Sequence, residues 1–143
     1  MAAKVIAKPI LATAAIAVSI LSLSSMASSQ NEVIVPHGAP SSFNWNSLPE
    51  FGGSEAIIYR SPDGKRVAAA FRESGDFEFE YPFDEFLVVT SGTGTFRVKD
   101  GPTFTLKKGE VAYFRKGMKV HMTLSKDFSD VTMLVGDEPV AWR

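Results

Sequence analysis

The side chains able to do chemistry are few, and their types limit the reactions that this chain can support. The sequence contains no cysteine and only two histidines, His37 and His121. Thiol nucleophiles, thiolate zinc sites, iron–sulfur clusters and sites built from many histidines are therefore excluded. The sequence also lacks a Gly-x-Ser-x-Gly motif, and His37 lies in a proline-rich segment, so a serine nucleophile has no suitable base.

Glu85 is the strongest candidate for acid–base chemistry. It stands among the apolar residues Phe83, Phe86 and Leu87, and an inward-facing glutamate there would lose water and have a raised pKa. A carboxyl group with a raised pKa can act as a general acid or base. The alternative is a structural role, in which Glu85 hydrogen-bonds Tyr81 or backbone groups and stabilises the fold.

The elements expected to position these residues are β-strands. Short apolar runs recur after residue 53 and are separated by turn signals such as Ser61-Pro62-Asp63-Gly64. Residues 77–81 alternate with the period of two that is typical of a half-buried strand, and no segment has convincing helical periodicity. We therefore predict an all-β fold of about nine short antiparallel strands, arranged as a sandwich or barrel. The predicted strands are residues 56–60, 66–71, 77–81, 84–90, 95–99, 103–106, 111–114, 119–124 and 131–135.

The N-terminal segment predicts export from the cytoplasm. Residues 1–8 carry Lys4 and Lys8 but no acid, residues 10–23 are mostly apolar, and small residues precede Ser28. This order is typical of a secretory signal peptide, here residues 1–27. We therefore expect a periplasmic or extracellular protein with no stable membrane anchor after cleavage. The alternative is a leader retained as an anchor, although its apolar stretch is shorter than the roughly 20 residues of a membrane span.

Composition predicts one globular domain that follows a linker. Of the 143 residues, 45% are hydrophobic and 22% are charged, which is the balance of a folded protein. Residues 28–53 are rich in proline, glycine and serine and are expected to form a linker or arm, whereas residues 54–143 form the domain. The net charge of −1 argues against a nucleic-acid partner, which would require a basic surface.

Two segments of this predicted barrel resemble the two motifs of the cupin superfamily. The first, residues 81–92 (YPFDEFLVVTSG), contains Glu85 and ends at the turn glycine Gly92; the second, residues 109–117, runs from a glycine-acid turn through a strand to another glycine. The string at 81–86 is similar to that of small single-domain cupins related to the ureidoglycine aminohydrolase cupin domain. Over roughly residues 55–136, the resemblance implies a double-stranded β-helix, the jelly-roll barrel of cupins.

The resemblance also implies where a cupin metal site would lie. Metal-binding cupins place two histidines before the first-motif glutamate and a third after the second-motif glycine. Here the first two positions fall at Phe79 and Tyr81, or with a longer spacing at Glu78 and Glu80, and the third falls at Val120. Because none of them is histidine, we expect no metal and no other cofactor.

His121 is the remaining candidate for a metal ligand in the barrel. It lies one residue beyond the third position, and neighbouring residues of a strand point to opposite faces, so it should face away from the interior. A β-bulge that turned it inward would allow an alternative metal site formed by Glu85 and His121.

Aromatic residues at the metal-ligand positions predict an apolar pocket with a few polar groups. That composition is usual for a small-molecule site. Arg72 and Glu73 end a predicted strand near the same opening and would either orient a polar ligand or remain solvated at the strand end. The predicted pocket residues are Phe79, Tyr81, Glu85, Tyr113, Val120 and Met122.

Two functions remain open from the sequence. The first is a secreted, metal-free cupin barrel that binds a small organic ligand without turnover. The alternative is a metal-dependent cupin enzyme of the ureidoglycine aminohydrolase type, which would act on a small polar nitrogen compound or a sugar. In either case we expect a homodimer, because an exposed barrel edge needs to be covered.

Overall fold

The computed structural model of the protein describes residues 35–141, and the predicted signal peptide lies outside this range. Two short 3₁₀ helices, Pro40–Ser42 and Pro49–Phe51, flank the first strand. Within residues 35–141 no helix is long and apolar enough to cross a membrane. The strands are β1 Asn46–Leu48, β2 Gly53–Arg60, β3 Arg66–Arg72, β4 Gly75–Glu80, β5 Asp84–Ser91, β6 Thr93–Val98, β7 Thr103–Lys107, β8 Val111–Phe114, β9 Lys119–Leu124 and β10 Ser129–Val135.

The strands form two antiparallel sheets, as expected for a jelly-roll barrel. The larger sheet has the order β1-β2-β3-β10-β5-β8, and the smaller has the order β4-β9-β6-β7. Rings from both sheets meet in the core: Phe96 of the smaller sheet lies 5.5 Å from Phe114 of the larger one, measured between ring centroids. The all-β cupin fold predicted from the sequence is confirmed.

The pleat of β4 and β9 shows why these segments form strands that enclose a core. On β9, Val120 and Met122 are buried whereas the intervening His121 is only partly covered. On β4, Phe77 and Phe79 are more covered than the exposed Glu78 between them. Because side chains alternate between the two faces of a strand, each strand places its apolar set inside and its polar set outside.

Part of the predicted linker belongs to the larger sheet. β1 pairs with the start of β2, and Leu48 is completely buried. Gly53, the first residue of β2, packs so closely that a Cβ atom there would lie 1.6 Å from the carbonyl oxygen of Arg72. Residues 46–48 and Gly53 of the predicted linker or arm therefore belong to the larger sheet, where backbone pairing compensates for the weak apolar pattern.

Gly92, the glycine of the first motif, allows the chain to pass from one sheet to the other. It lies between β5 of the larger sheet and β6 of the smaller, with φ +66°. A Cβ atom there would approach the backbone nitrogen of Phe128 to 2.7 Å. Glycine adopts this left-handed conformation at little cost and leaves room for the neighbouring backbone.

Candidate ligand-binding site

A cavity lies between the two sheets, and its wall is mostly aromatic with several carboxyl groups. The space open to the centre of a water molecule amounts to about 40 Å³. Leu87, Met122, Leu124 and Leu134 supply its aliphatic part. Its polar side chains are those of Glu73, Tyr81, Glu85 and Asp130, and its other aromatic residues are Phe51, Phe71, Phe77, Phe79, Phe83, Phe96 and Phe128.

The aromatic rings at one end of the cavity pack edge to face. Phe51, from the 3₁₀ helix before β2, lies 5.1 Å from Phe77 and 5.8 Å from Phe79, measured between ring centroids. Phe79 in turn meets Tyr81 at 4.9 Å, and Tyr81 stacks on Phe114 at 4.8 Å. Edge-to-face and offset contacts are the favourable arrangements of aromatic rings, so these side chains form a well-packed wall.

Glu85 projects from β5 into the cavity and has two hydroxyl partners. The hydroxyl of Thr132 donates to its Oε1 at 2.7 Å, and the hydroxyl of Tyr81 hydrogen-bonds to the same carboxyl group. Burial raises the pKa of Glu85, and the two hydrogen bonds offset only part of that increase. Glu85 therefore has both features that the sequence analysis gave as alternatives: a raised pKa and a hydrogen bond to Tyr81.

Two further carboxyl groups share the cavity with Glu85. Burial, reinforced by the nearby charges of Glu85 and Glu55, raises the pKa of Glu73 to about 8. Burial, together with Glu73 and Glu85, holds the pKa of Asp130 well above its usual range. Like charges that share a site of low polarity disfavour joint ionisation, so these carboxyl groups lose their protons at higher pH than exposed ones do.

Asp130 is the residue of this cluster that the sequence analysis missed. Its side chain is only 4% exposed, and among the described residues its Oδ1 atom has no hydrogen-bond partner. A buried polar atom of this kind is uncommon in folded proteins and costs free energy unless something satisfies it. The available signal was its spacing: Asp130, Thr132 and Leu134 alternate on one strand face, and all three are buried.

Four of the predicted pocket residues, Phe79, Tyr81, Glu85 and Met122, line the cavity. Val120 faces inward as expected and is buried in the hydrophobic core beside them. Glu73, considered as a polar group near the opening, lies in the wall itself. Arg72 is directed elsewhere, since its guanidinium lies 4.0 Å from the ring centroid of Trp45.

Tyr113 does not belong to this site, and its predicted place in the pocket is corrected. Its side chain is 57% exposed, and its hydroxyl donates to Oδ2 of Asp84 at 2.6 Å on the outer surface. The next residue of β8, Phe114, is the one that points inward and stacks on Tyr81. Because side chains alternate along a strand, the inward Phe114 forces Tyr113 outward.

His121 lies on the outer face of the smaller sheet, as expected. Its Nε2 atom is 2.6 Å from Oδ1 of Asp76, and its Nδ1 atom is 4.0 Å from Glu78. Glu85 occupies the interior, so the alternative metal site of Glu85 and His121 is not formed.

The residues at the cupin metal positions do not fit a metal. Phe79 and Val120 have no ligating atom, and the hydroxyl of Tyr81 is engaged with Glu85. Within residues 35–141, no group of three histidine, aspartate or glutamate side chains is arranged to hold an ion. What remains at the centre of the barrel is an apolar chamber lined by carboxyl groups whose pKa values are raised.

The fold and a sequence match together define the class of protein. Residues 61–129, from the turn before β3 to the first residue of β10, match the EutQ-like cupin domain. The chain therefore has the cupin fold, and this part of it is similar to the EutQ-like cupin domain. No curated protein sequence matches it, and its expected similarity to the ureidoglycine aminohydrolase branch stays a prediction.

Solved structures share the fold at low sequence identity. The structure described as ethanolamine utilization protein Q from Salmonella typhimurium has a TM-score of 0.57 and 18% identity, and the match covers 66% of this chain and 80% of that one. An RmlC-like cupin from Shewanella frigidimarina has a TM-score of 0.60 and 9% identity, covering 76% and 94%. KdgF from Halomonas sp. has a TM-score of 0.55 and 14% identity, covering 66% and 89%. Likeness at this identity supports the fold alone.

Proposed function

We propose that this protein is an exported cupin that binds a small organic ligand inside its barrel without a metal. The observation that carries the proposal is the Oδ1 atom of Asp130, which is buried without a partner and belongs to the wall of a largely aromatic cavity. A ligand that reached this atom would satisfy it and cover the surrounding rings. Apolar walls with a few convergent polar groups are typical of small-molecule sites.

A screen of small organic compounds by thermal shift tests this proposal, with two methionine variants as a matched pair. Met122→Phe places a larger side chain in the cavity wall, whereas Met133→Phe makes the same change on the outer surface of β10. We expect some compounds to raise the melting temperature of the wild type and of Met133→Phe but not of Met122→Phe. Circular dichroism checks that both variants fold. The check is needed because overpacking alone destabilises a protein by roughly 1–3 kcal/mol. Shifts that persist in Met122→Phe would contradict binding in the cavity.

An enzymatic role is the second candidate, and the raised pKa of Glu85 is the observation that favours it. A protonated carboxyl group in a cavity can act as a general acid. The alternative predicted from the sequence was a metal-dependent enzyme acting on a small polar nitrogen compound or a sugar, but the residues at the metal positions give it no support. Turnover of a compound found in the screen, lost in Glu85→Gln although binding remains, would favour an enzyme.

Export and dimer formation complete the proposal. Cleavage after Ala27 would give a mature chain beginning at Ser28, which intact mass spectrometry of the secreted or periplasmic fraction measures directly. A chain that keeps its leader would favour a membrane anchor instead. The expected homodimer is measured by light scattering of the mature protein.

A further inference from the structure

The titratable side chains that line the cavity are all of one kind. Its titratable groups come from several elements, and all of them are acidic: Glu85 on β5, Asp130 on β10, Glu73 after β3 and Tyr81 after β4, with the buried Glu55 of β2 close enough to influence Glu73. Among the described residues, no lysine, arginine or histidine lines the cavity. Buried carboxyl groups in proteins are normally paired with a positive group or a full set of hydrogen bonds.

Across the described residues, the carboxyl groups at the centre of the barrel therefore lack a positive partner, and one of their oxygen atoms lacks a hydrogen bond. Burial raises the pKa values of Glu73, Glu85 and Asp130, and repulsion adds to the increase for Glu73 and Asp130. Oδ1 of Asp130 still lacks a partner within the described part of the chain. A positive ligand with N–H donors would supply the missing hydrogen bond and a counter-charge for ionised carboxyl groups. It would also allow the carboxyl groups to ionise, because a nearby opposite charge favours the charged form.

The aromatic wall favours the same kind of ligand. The edge-to-face cluster of Phe51, Phe77 and Phe79 lies in the same wall as the carboxyl groups. Ring faces attract cations within about 6 Å of the ring centroid, and they also cover alkyl groups. An inorganic divalent cation instead requires six or more oxygen ligands for calcium, or an ordered shell of water for magnesium, and this wall is mostly carbon.

The size of the cavity limits the ligand further. A space of about 40 Å³ for water centres holds about three water molecules, since one water needs roughly 10–15 Å³ by this measure. A compound of about three to five non-hydrogen atoms fits that space, and a sugar does not.

Building on the proposed function, we propose that the ligand is a short alkylammonium ion, whose ammonium group is held by Glu73, Glu85 and Asp130 and whose alkyl part lies against Phe77 and Phe79. Three probes of similar size and different charge test this directly: propylammonium, 1-propanol and propionate. Isothermal titration calorimetry with the mature protein measures their affinity and, by comparing buffers of different ionisation enthalpy, the protons released.

We expect propylammonium to bind and the other two probes to bind at least about tenfold more weakly. Because bound cation favours the ionised carboxyl groups, protons should be released, and binding should tighten between about pH 6 and about pH 8. Asp130→Asn should weaken propylammonium binding about tenfold or more. Asp84→Asn, the same change on the outer surface, should leave it unaltered, and circular dichroism checks that both variants fold.

The outcomes separate this inference from the proposed function. If propanol or propionate binds more tightly than propylammonium and Met122→Phe abolishes that binding, the cavity is a ligand site but not for a cation. Binding of propylammonium that Asp130→Asn leaves unchanged would likewise overturn the cation site. If none of the three probes binds and the wider compound screen is also negative, both the cation site and the proposed function are wrong.

Discussion

Asp84 and Glu85 are neighbours on β5, carry the same functional group and have opposite protonation behaviour. Asp84 faces solvent, where it accepts hydrogen bonds from the hydroxyl of Tyr113 at 2.6 Å and from the backbone N–H of Lys116 at 2.8 Å. These hydrogen bonds lower its pKa. Glu85 faces the cavity and also accepts from a tyrosine hydroxyl, yet burial raises its pKa.

The comparison shows that the position of the carboxyl group on the pleat, rather than its partner, decides whether its pKa is lowered or raised. Both groups accept a hydrogen bond from a tyrosine and from a second donor, and all of these bonds favour the ionised form. The difference is the loss of water, which penalises the charge of Glu85 by more than its hydrogen bonds return. One step along a strand therefore separates a surface carboxyl group with a lowered pKa from an interior one with a raised pKa.

The largest expected difference in the free energy of unfolding is between alanine variants of the inward Tyr81 and the outward Tyr113. Tyr81→Ala removes a side chain that is only 1% exposed and stacks on Phe114, and it should lower the free energy of unfolding by about 3–5 kcal/mol. Tyr113→Ala removes an exposed ring, and its loss should stay within about 1 kcal/mol. Urea unfolding followed by circular dichroism measures both variants. Equal losses would mean that the two sides of β5 and β8 do not differ as described.

The next effect is the dependence of stability on pH. The raised pKa values of Glu73, Glu85 and Asp130 contribute stability that is present below the ordinary carboxyl pKa and is lost as the pH rises through the folded-state values, about 8 for Glu73. The lowered pKa of Asp84 contributes stability that is lost as the pH falls through its folded-state value. Melting temperatures from acid to alkaline pH should therefore decline at both ends.

Two amide variants separate the decline of the melting temperature at acid pH (the acid limb) from its decline at alkaline pH (the alkaline limb). Glu85→Gln should flatten the decline toward alkaline pH, because it removes one buried acid and one source of repulsion for its neighbours. Asp84→Asn should reduce the acid limb and leave the alkaline limb in place. A wild-type protein that becomes steadily more stable up to alkaline pH would show that the interior carboxyl groups are already ionised.

A smaller effect is expected for the second hydroxyl partner of Glu85. Thr132→Val keeps the shape of the side chain but removes the donor to Oε1, and it should cost about 1–3 kcal/mol because a buried acceptor loses a bond. Thr95→Val makes the same change at the exposed pair of Thr95 and Thr105. It should cost within about 0.5 kcal/mol. A comparable loss in both variants, measured by urea unfolding, would contradict a special role for the interior bond.

The smallest effect is expected on the outer face of the smaller sheet. His121→Ala removes the polar contact with Asp76, and partly exposed polar pairs of this kind contribute about 0–1 kcal/mol. Stability to urea near neutral pH should therefore change little. A loss as large as that of Tyr81→Ala would place His121 in the core and reopen its role in the barrel.

Most of the fold could be predicted because its signals are local. The nine predicted strands are all present, and alternation placed Phe79, Tyr81 and Met122 inside without further information. β1 could not be predicted in the same way, because its three residues carry no apolar alternation and gain their order from pairing with β2.

Asp130 and the outward orientation of Tyr113 could not be predicted either, because both depend on pairing between distant strands. Asp130 lies in a strand only because Ser129 and Asp130 pair with Arg72 and Phe71 of β3, a contact that the sequence pattern beginning at Val131 does not reveal. Tyr113, expected among the polar groups of the pocket, faces outward because the adjacent Phe114 occupies the inward position. Strand face is settled by register between distant segments, which the local pattern does not contain.

The contact of Phe51 with Phe77 and Phe79 would couple the proposed ligand to the segment around Phe51. Phe51 precedes β2 and forms part of the cavity wall, so a bound ligand would stabilise the docked position of the segment around it. By mass action, whatever binds the docked form and not the detached form protects it. Limited proteolysis near Phe51 should then slow as ligand is added, which makes the cleavage rate of the arm a direct gauge of what fills the barrel.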